Sequence, residues 1–387
     1  MHSHTTYTST LLALALFATT SHAGNAFQEA TSFKSEDENF TFKLKGRIHA
    51  DAAYYDDDVT EIDDEEELRR LRAGFSGTVM KDWTYSFNYD TESEVGYRIK
   101  GANIGYKGFD NFKISVGNLQ QPFSLEELTS SNHIPFMERS LSNVFAPSYT
   151  LGLLVKTWGK HWSFSGGYFD DNLGDRHNDN EGSHSLAARV TFNPIDKKRF
   201  KVHLGASTVF RNLDSGQTVS YSTRPESYPA NTKLLSTGTL DDVDDIKTYG
   251  LEAALIKGSW LLQGELMRAE LDRKTNADPT FDGGYIQSSW IITGERHRYS
   301  GKNGSFKQIK PKSPYGAVEL AVRYSTLDLE DKTVNGGEED NLTLGVNWHI
   351  NKNMRIMANY VQADASPNSD GIDEDIDILQ FRFQAYF

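Results

Sequence analysis

The last ten residues, ILQFRFQAYF, alternate between two kinds of side chain, and this pattern constrains the fold more than any other feature of the chain. Leu379, Phe381 and Phe383 fall on one face of an extended strand, while Gln380 and Arg382 fall on the other. A strand with an aromatic face and a charged face suits a wall between lipid and water, which only a closed barrel can form. The last strand of a soluble sandwich shows similar alternation, so this segment alone leaves both folds open.

The same period of two recurs from Phe40 to the end of the chain. FTFKLKGRIHA, RFKVHLGASTVF and NLTLGVNWHI each carry apolar residues on one face and Lys, Arg, His, Asn or Thr on the other. Turns near residues 81–82, 108–111, 159–160, 193–196, 257–259 and 351–353 alternate with longer polar segments at 56–67, 121–148, 171–182, 213–245 and 366–377. The pattern predicts an all-β, transmembrane antiparallel β-barrel of about 16 strands over residues 40–387.

The N-terminus predicts export. Leu11 to Ala18 form a short apolar run, and Ser21-His22-Ala23 is a small-x-small site that a signal peptidase can cut before Gly24. We therefore expect a signal peptide over residues 1–23 and a short periplasmic leader over 24–39. The chain has no cysteine, which excludes a disulfide framework.

Composition limits the range of functions. The formal net charge of −14 argues against nucleic acid as a partner. The eleven histidines show no metal-ligand spacing, and no nucleophile, phosphate-loop or zinc-protease motif occurs. We therefore expect no enzyme activity, no catalytic residue, no metal and no cofactor. The acidic segments DDDVTEIDDEEE and DGIDEDID suit solvated loops better than calcium sites, because they lack EF-hand spacing.

The face opposite the apolar set is unusually basic. Lys43, Lys45, Arg47 and His49 alternate with apolar residues in the first strand and would point into the lumen. In ELRRLRAGF, Arg70 and Arg72 share that orientation, and Arg69 lies near the start of the strand. Further inward candidates are Lys113, Arg189, Lys201, His203, Arg211, Arg323, Arg355 and Arg382. A scattered, solvated basic face is the alternative explanation.

The segment 121–148 is too long for a hairpin turn and contains Pro122 and Pro135. Long ordered loops are usually functional. This one could fold into the barrel, narrow it and offer Arg139 to a passing ion. A mobile outer loop fits its spacing equally well.

At these residues the chain resembles the phosphate-selective porins of Gram-negative outer membranes. The resemblance is carried by GRIHADAAYY, ELRRLRAGFSGTVMKDWTYSFNYD, VGNLQQPFSLEELTSSNHIPFMERS, GYIQSSWIITGE, YGAVELAVRYSTLDL and FRFQAYF. It implies a homotrimer of sixteen-stranded barrels, each pore narrowed by an inward-folded third loop. In the outer membrane we expect the barrel to contact lipid and lipopolysaccharide. The resemblance also implies an arginine ladder that includes Arg47, Arg69 and Arg70, a constriction at Arg139, and a pore lysine at Lys310 or Lys312.

One residue departs from the family pattern. Family members that select strictly for phosphate carry a lysine where this chain has Glu127. A carboxylate at a narrow point repels anions unless a base such as Lys100 neutralises it. The expected function is a passive, anion-preferring channel for phosphate or similar small oxyanions. The alternatives are a general porin with weak or no phosphate selectivity, tolerant of cations because of Glu127, an outer-membrane barrel enzyme, and a soluble exported β-sandwich.

Overall fold

The computed structural model describes residues 31–91, 99–170, 183–214 and 216–387. The expected signal peptide, residues 24–30 of the expected leader and the acidic segment 171–182 lie outside the described residues. Within those ranges no helix is long and apolar enough to span a membrane.

Strands account for most of the described chain. They are β1 (Ser32–Lys34), β2 (Thr41–Asp56), β3 (Glu65–Val79), β4 (Trp83–Asp90), β5 (Ile99–Tyr106), β6 (Phe112–Gln120), β7 (Tyr149–Trp158), β8 (Trp162–Phe169), β9 (Ser183–Asp196), β10 (Phe200–Leu213), β11 (Ser222–Thr223), β12 (Leu235–Ser236), β13 (Val243–Lys257), β14 (Trp260–Arg273), β15 (Thr280–Ile291), β16 (Arg298–Ser300), β17 (Ser305–Lys307), β18 (Ala317–Asp331), β19 (Val334–His349), β20 (Met354–Ala365) and β21 (Glu374–Tyr386). Two short helices, α1 (Leu125–Leu128) and a 3₁₀ helix (Leu141–Phe145), lie between β6 and β7.

The main sheet closes on itself. In the described part of the chain it holds 17 strands, each antiparallel to its neighbours, and β2 pairs with β21 as well as with β3. The short β1 pairs with β2 alone, so the remaining strands form a closed wall of sixteen. The prediction of a sixteen-stranded antiparallel barrel is therefore confirmed. Such closure leaves no strand edge in hydrocarbon, where unpaired backbone groups are costly.

The outer surface of the wall is apolar, with aromatic residues near both ends. Leu251, Leu266 and Leu344 are among the exposed side chains between the ends, as expected for a surface facing acyl chains. One end carries exposed Trp83, Trp162, Trp260, Trp290 and Trp348, and the other carries exposed Tyr54, Tyr168 and Tyr324. We call these the turn end and the loop end, after the connections found there. The two aromatic bands mark the two membrane interfaces.

The seam between first and last strands is completed by both ends of the described chain. At the turn end Phe387 exchanges two backbone hydrogen bonds with Gly46, of 3.3 and 3.0 Å. Closer to the turn end, where β21 has ended, β1 pairs with β2 in its place. Ser32 lies opposite Lys43, and the Leu44 amide donates to the carbonyl of Thr31 at 2.8 Å. Part of the segment expected to be a free leader is thus paired with the wall.

The connections follow the predicted alternation with two exceptions and one shift. At the loop end, β18 and β19 are joined by a turn of only two residues, Lys332 and Thr333, where a long segment was expected. Residues 292–316, between β15 and β18, form a long segment at the turn end where a short turn was expected, and we call it the turn-end hairpin after its paired strands β16 and β17. The expected turn at 193–196 lies inside β9, and the chain turns at 197–199 instead. The segment 213–245 contains β11 and β12.

The seam predicts a position-specific defect. A Cβ atom at Gly46 would overlap the ring of Phe387, whereas a Cβ at Gly301 would meet only Asn193 Nδ2 at 3.6 Å. Gly46→Ala should cost roughly 1 to 3 kcal/mol through overpacking. The temperature at which the folded band is lost in heat-modifiability gels should fall for Gly46→Ala and stay unchanged for Gly301→Ala. Equal behaviour of the two variants would show that the ring contact does not support the seam.

Candidate functional site

The segment 121–148, here called the constriction loop, folds into the barrel, as the fold prediction required. Its helix α1 begins after Ser124, whose Oγ accepts the Glu127 amide at 3.1 Å. The wall residue Glu265 accepts the amides of Leu125 and Glu126 at 2.8 and 2.7 Å. A carboxylate at a helix N-terminus satisfies amides that have no partner in the helix. The first turn of the loop is therefore fixed to β14.

Glu138 is the main electrostatic anchor of the constriction loop. Arg69 Nε donates to its Oε1 at 3.1 Å, and Arg70 Nη2 donates to its Oε2 at 2.9 Å. Arg382 Nη2 reaches Oε1 at 2.5 Å and also pairs with Asp51. Burial alone would raise the pKa of the Glu138 carboxyl, but the three guanidinium groups hold it well below its usual range. One buried carboxylate thus ties the loop to β3 and β21.

Two more wall arginines hold the same loop. Arg323 Nη1 donates to Glu126 Oε1 at 3.3 Å and to the Glu138 carbonyl at 3.1 Å. Its Nη2 binds Glu226, which comes from residues 214–242 at the loop end. Arg355 donates to the carbonyl of Ile134 at 2.7 Å. These arginines lie behind the loop, and Nη1 of each donates to it. Their Nη2 groups bind other partners, Glu226 for Arg323 and Gln384 for Arg355.

A cavity of about 400 Å³ remains between the constriction loop and the wall strands β2 to β5. It is the best candidate for a solute site, and we call it the central cavity. Its charged lining residues are Arg47, Arg69, Arg70, Arg72, Asp90, Lys100, Glu127 and Arg139. Gln120, Ser130, Ser131, Ser148, Tyr149 and Tyr228 add neutral hydrogen-bonding groups. Six cations against two carboxylates make this lining favourable to anions.

A β-bulge explains why two consecutive arginines reach the lumen. His49 pairs with Arg70, and Asp51 pairs with Glu67, so two residues of β3 lie opposite Ala50. The extra residue changes the alternation of faces, which otherwise directs neighbouring side chains to opposite sides. Arg69 therefore joins Arg70 inside the barrel, and its guanidinium stacks 3.6 Å from the ring centre of Tyr228.

The predicted constriction pair is an ion pair. Arg139 Nε lies 3.1 Å from Glu127 Oε2, and Arg139 also donates to the carbonyls of Glu126, Glu127 and Thr129. The other oxygen of Glu127 accepts from Gln120 at 2.6 Å. The base that meets Glu127 is therefore Arg139 of its own loop, and most of the Arg139 donors serve to shape that loop.

The remaining predicted lining residues lie elsewhere. Arg323 and Arg382 are only 1% exposed and do not reach the central cavity. Lys43 and Lys45 lie on β2 between the cavity and the turn end. Lys310 and Lys312 are exposed on the turn-end hairpin, where Lys312 Nζ donates to the carbonyl of Gly294 at 3.2 Å. Lys100 was considered only as a partner for Glu127, although it lines the cavity.

The turn-end hairpin narrows the barrel below the constriction loop. Tyr299 of β16 lies 2.5 Å from His203 Nδ1, and His203 Nε2 lies 2.9 Å from Glu252. Arg189 pairs with the same carboxylate at 2.5 Å and donates to the carbonyl of Gly304 at 2.7 Å. Arg189 and His203 thus point into the barrel, as the sequence predicted, and there they hold the turn-end hairpin in place.

Comparison with known proteins shows the family of this chain. The family model described as phosphate-selective porin O and P matches residues 42–387. The chain belongs to this porin family. Porin O of Pseudomonas aeruginosa is 26% identical over 91% of this chain and 89% of its own length. An uncharacterised protein of Caulobacter vibrioides is 30% identical over 83% of this chain and 68% of its own.

Solved structures show the same fold at low identity. OmpT of Vibrio cholerae, an outer-membrane protein in its trimer form, superposes with a TM-score of 0.58 at 13% identity, covering 90% of this porin and 99% of OmpT. The anion-selective porin of Comamonas acidovorans gives 0.57 at 14% identity, covering 90% and 100%. Among the described residues of this porin, no group of three or more His, Cys, Asp or Glu could hold a metal ion.

The packing of the constriction loop predicts a pH dependence. Burial, with the charges of Arg355 and Arg47, lowers the pKa of His133 to about 3. His133 is therefore neutral when the constriction loop is packed inside the barrel. Its contribution to the stability of that packing is fully present above an ordinary histidine pKa of about 6.5, and it is lost as the pH falls toward 3. At pH 4.5 the loss is about 2.5 kcal/mol relative to pH 7.

Single-channel recordings should thus show more frequent closures at pH 4.5 than at pH 7. His133→Asn should reduce that difference, whereas His161→Asn, at a turn, should not. Identical pH responses of the parent and His133→Asn would show that this histidine does not govern loop packing.

Proposed function

We propose that this porin is a passive, anion-preferring channel for phosphate or similar small oxyanions across the outer membrane. The observation that carries the proposal is the lining of the central cavity, where six cationic side chains face two carboxylates. Fixed charge at the narrowest part of a pore determines which ions enter, because field lines are focused there. The description of the family as phosphate-selective, and that of the Comamonas porin as anion-selective, support this direction.

A general anion porin with weak phosphate preference is the second candidate. The Glu127–Arg139 ion pair of 3.1 Å favours it, because the charge of the loop arginine is already neutralised by its own loop. A phosphate dianion would have to compete with a carboxylate for that guanidinium. The two candidates share anion preference and differ in how tightly phosphate is held.

We also propose three assignments, which rest on the N-terminal sequence, on the family and on the outer surface of the barrel respectively. The chain is exported through a cleaved signal peptide, it forms a homotrimer, and its outer aromatic bands meet lipid and lipopolysaccharide. The trimer form of OmpT of V. cholerae, which has the same fold, supports the second assignment. Electrophoresis of the native protein and N-terminal sequencing of the mature chain test the first two.

Planar bilayers test the channel directly. In a KCl gradient the reversal potential should have the sign of anion selectivity, since the lining carries an excess of positive charge. Added phosphate should reduce the chloride conductance if phosphate dwells in the cavity. Cation selectivity would overturn the anion proposal, and anion selectivity without phosphate inhibition would favour the second candidate.

Glu127 offers a sharper prediction. Glu127→Gln removes one negative charge and releases Arg139 from its ion pair, so the anion-to-cation permeability ratio should rise roughly threefold at the dielectric of a wet pore. Asp242→Asn is the matched control, because Asp242 binds Arg273 at the loop end and does not line the cavity. A ratio that rises equally in both variants would assign the effect to overall charge.

A further inference from the structure

Most cations of the central cavity are already engaged by carboxylates. Arg72 Nε donates to Asp90 at 2.7 Å. Arg69 and Arg70 share Glu138, and Arg139 pairs with Glu127, as described above. A guanidinium paired in this way offers less charge and fewer free donors to a passing ion. The lining therefore attracts anions less strongly than a count of its arginines implies.

Two cations of the lining form no hydrogen bond or close ion pair with a carboxylate in the described parts of the chain, although Asp90 lies near enough to attract both. Arg47 donates to the hydroxyls of Ser131 at 2.7 Å and Ser130 at 3.4 Å, and it has no ion pair. Lys100 makes no hydrogen bond or ion pair within the described ranges. The oxygens of Glu127, the carboxylate considered above as a partner for Lys100, are bound by Arg139, Gln120 and Asn143. Lys100 thus keeps its ammonium donors for the lumen.

The backbone directs Lys100 toward the cavity. In the pairing of β4 with β5, Asn88 lies opposite Gly101 and Tyr89 lies opposite Ile99, so Lys100 is the extra residue of a β-bulge. Bulges re-aim one side chain relative to the regular alternation. This is the same device that brings Arg69 inside on β3, and here it adds a cation to the cavity lining.

Lys100 and Arg47 mark the two ends of one row across the wall. Arg47 pairs with Arg72, Arg72 pairs with Asp90, and Lys100 follows on the next strand. Four neighbouring strands place the two backbones roughly 14 Å apart at a spacing of about 4.8 Å. Two long side chains can converge across such a gap on one small anion. Because an ammonium and a guanidinium carry only donors, their shared ligand must be rich in acceptors, as an oxyanion is.

We propose that Lys100 is a specificity-determining residue of this channel, which contacts the permeating oxyanion together with Arg47. The assignment rests on the proposed anion channel. The arginines engaged by carboxylates hold the constriction loop and set the background field, while Lys100 and Arg47 supply the donors that change partners as the anion moves.

The test compares Lys100→Gln, Lys100→Arg and Lys113→Gln in planar bilayers with inorganic phosphate as the probe. Lys113 is a lysine at the start of β6 that does not line the cavity, so it controls for loss of any wall charge. Lys100→Gln should raise the phosphate concentration that halves the chloride conductance by about tenfold, the loss expected for one charge-assisted hydrogen bond. Lys100→Arg should retain most of the effect, and Lys113→Gln should match the parent.

Two outcomes separate this proposal from the one on which it rests. A cation-selective parent would overturn the anion channel itself, whereas an anion-selective, phosphate-inhibited parent with an unchanged Lys100→Gln variant would overturn only the role of Lys100. The double variant Lys100→Gln/Glu127→Gln tests the remaining explanation, which is that Lys100 acts only by balancing the charge of Glu127. If Lys100 merely balanced Glu127, its removal would have no effect in the Glu127→Gln background, and a persistent tenfold loss supports contact with the anion.

Discussion

The closed backbone ladder is the constraint on which the rest of the molecule depends. In hydrocarbon an unpaired amide or carbonyl has no water to bind, so the first and last strands must meet. They meet between β2 and β21, from the pair Arg47–Tyr386 to the pair Asp56–Asp377. Because β21 ends opposite Gly46, the short β1 continues the pairing below it. Closure therefore brings the two ends of the described chain to one place and directs alternate side chains into a common lumen.

Closure creates a second problem, since the lumen receives many like charges. A buried guanidinium without a partner is costly, and the constriction loop supplies the partners. Glu138 neutralises arginines from β3 and β21, and Glu126 with Glu226 surrounds Arg323. The loop is consequently held inside by the same charges that would repel one another in an empty barrel. The partner of a lumen arginine, more than its position, decides whether it serves the loop or the solute.

The sequence predicts the wall far better than the site. A period of two assigns the faces of long strands correctly, and the resemblance to a porin family anticipates the inward loop. Two features break this logic. Bulges at Arg69 and Lys100 add a residue, so alternation alone places neither with certainty. Glu138, whose carboxylate neutralises Arg69 and Arg382, lies 69 residues from the first and 244 from the second along the chain. No local sequence pattern encodes such a pairing. The turn-end hairpin was missed because long connections were expected only at the other end.

The formal charge of −14 and an anion-preferring pore are compatible because the charges are separated in space. Asp282, Asp328 and Glu338 lie on the outer face near the loop end, as their alternation with buried neighbours shows. Electrolyte screens such charges over a Debye length of about 8 Å. The cavity responds to its own lining, where carboxylates cancel part of the arginine charge. Conduction needs attraction strong enough to admit an anion and weak enough to release it. Partial neutralisation of a basic lining meets both requirements, and this is the role in passage that we propose for Glu127.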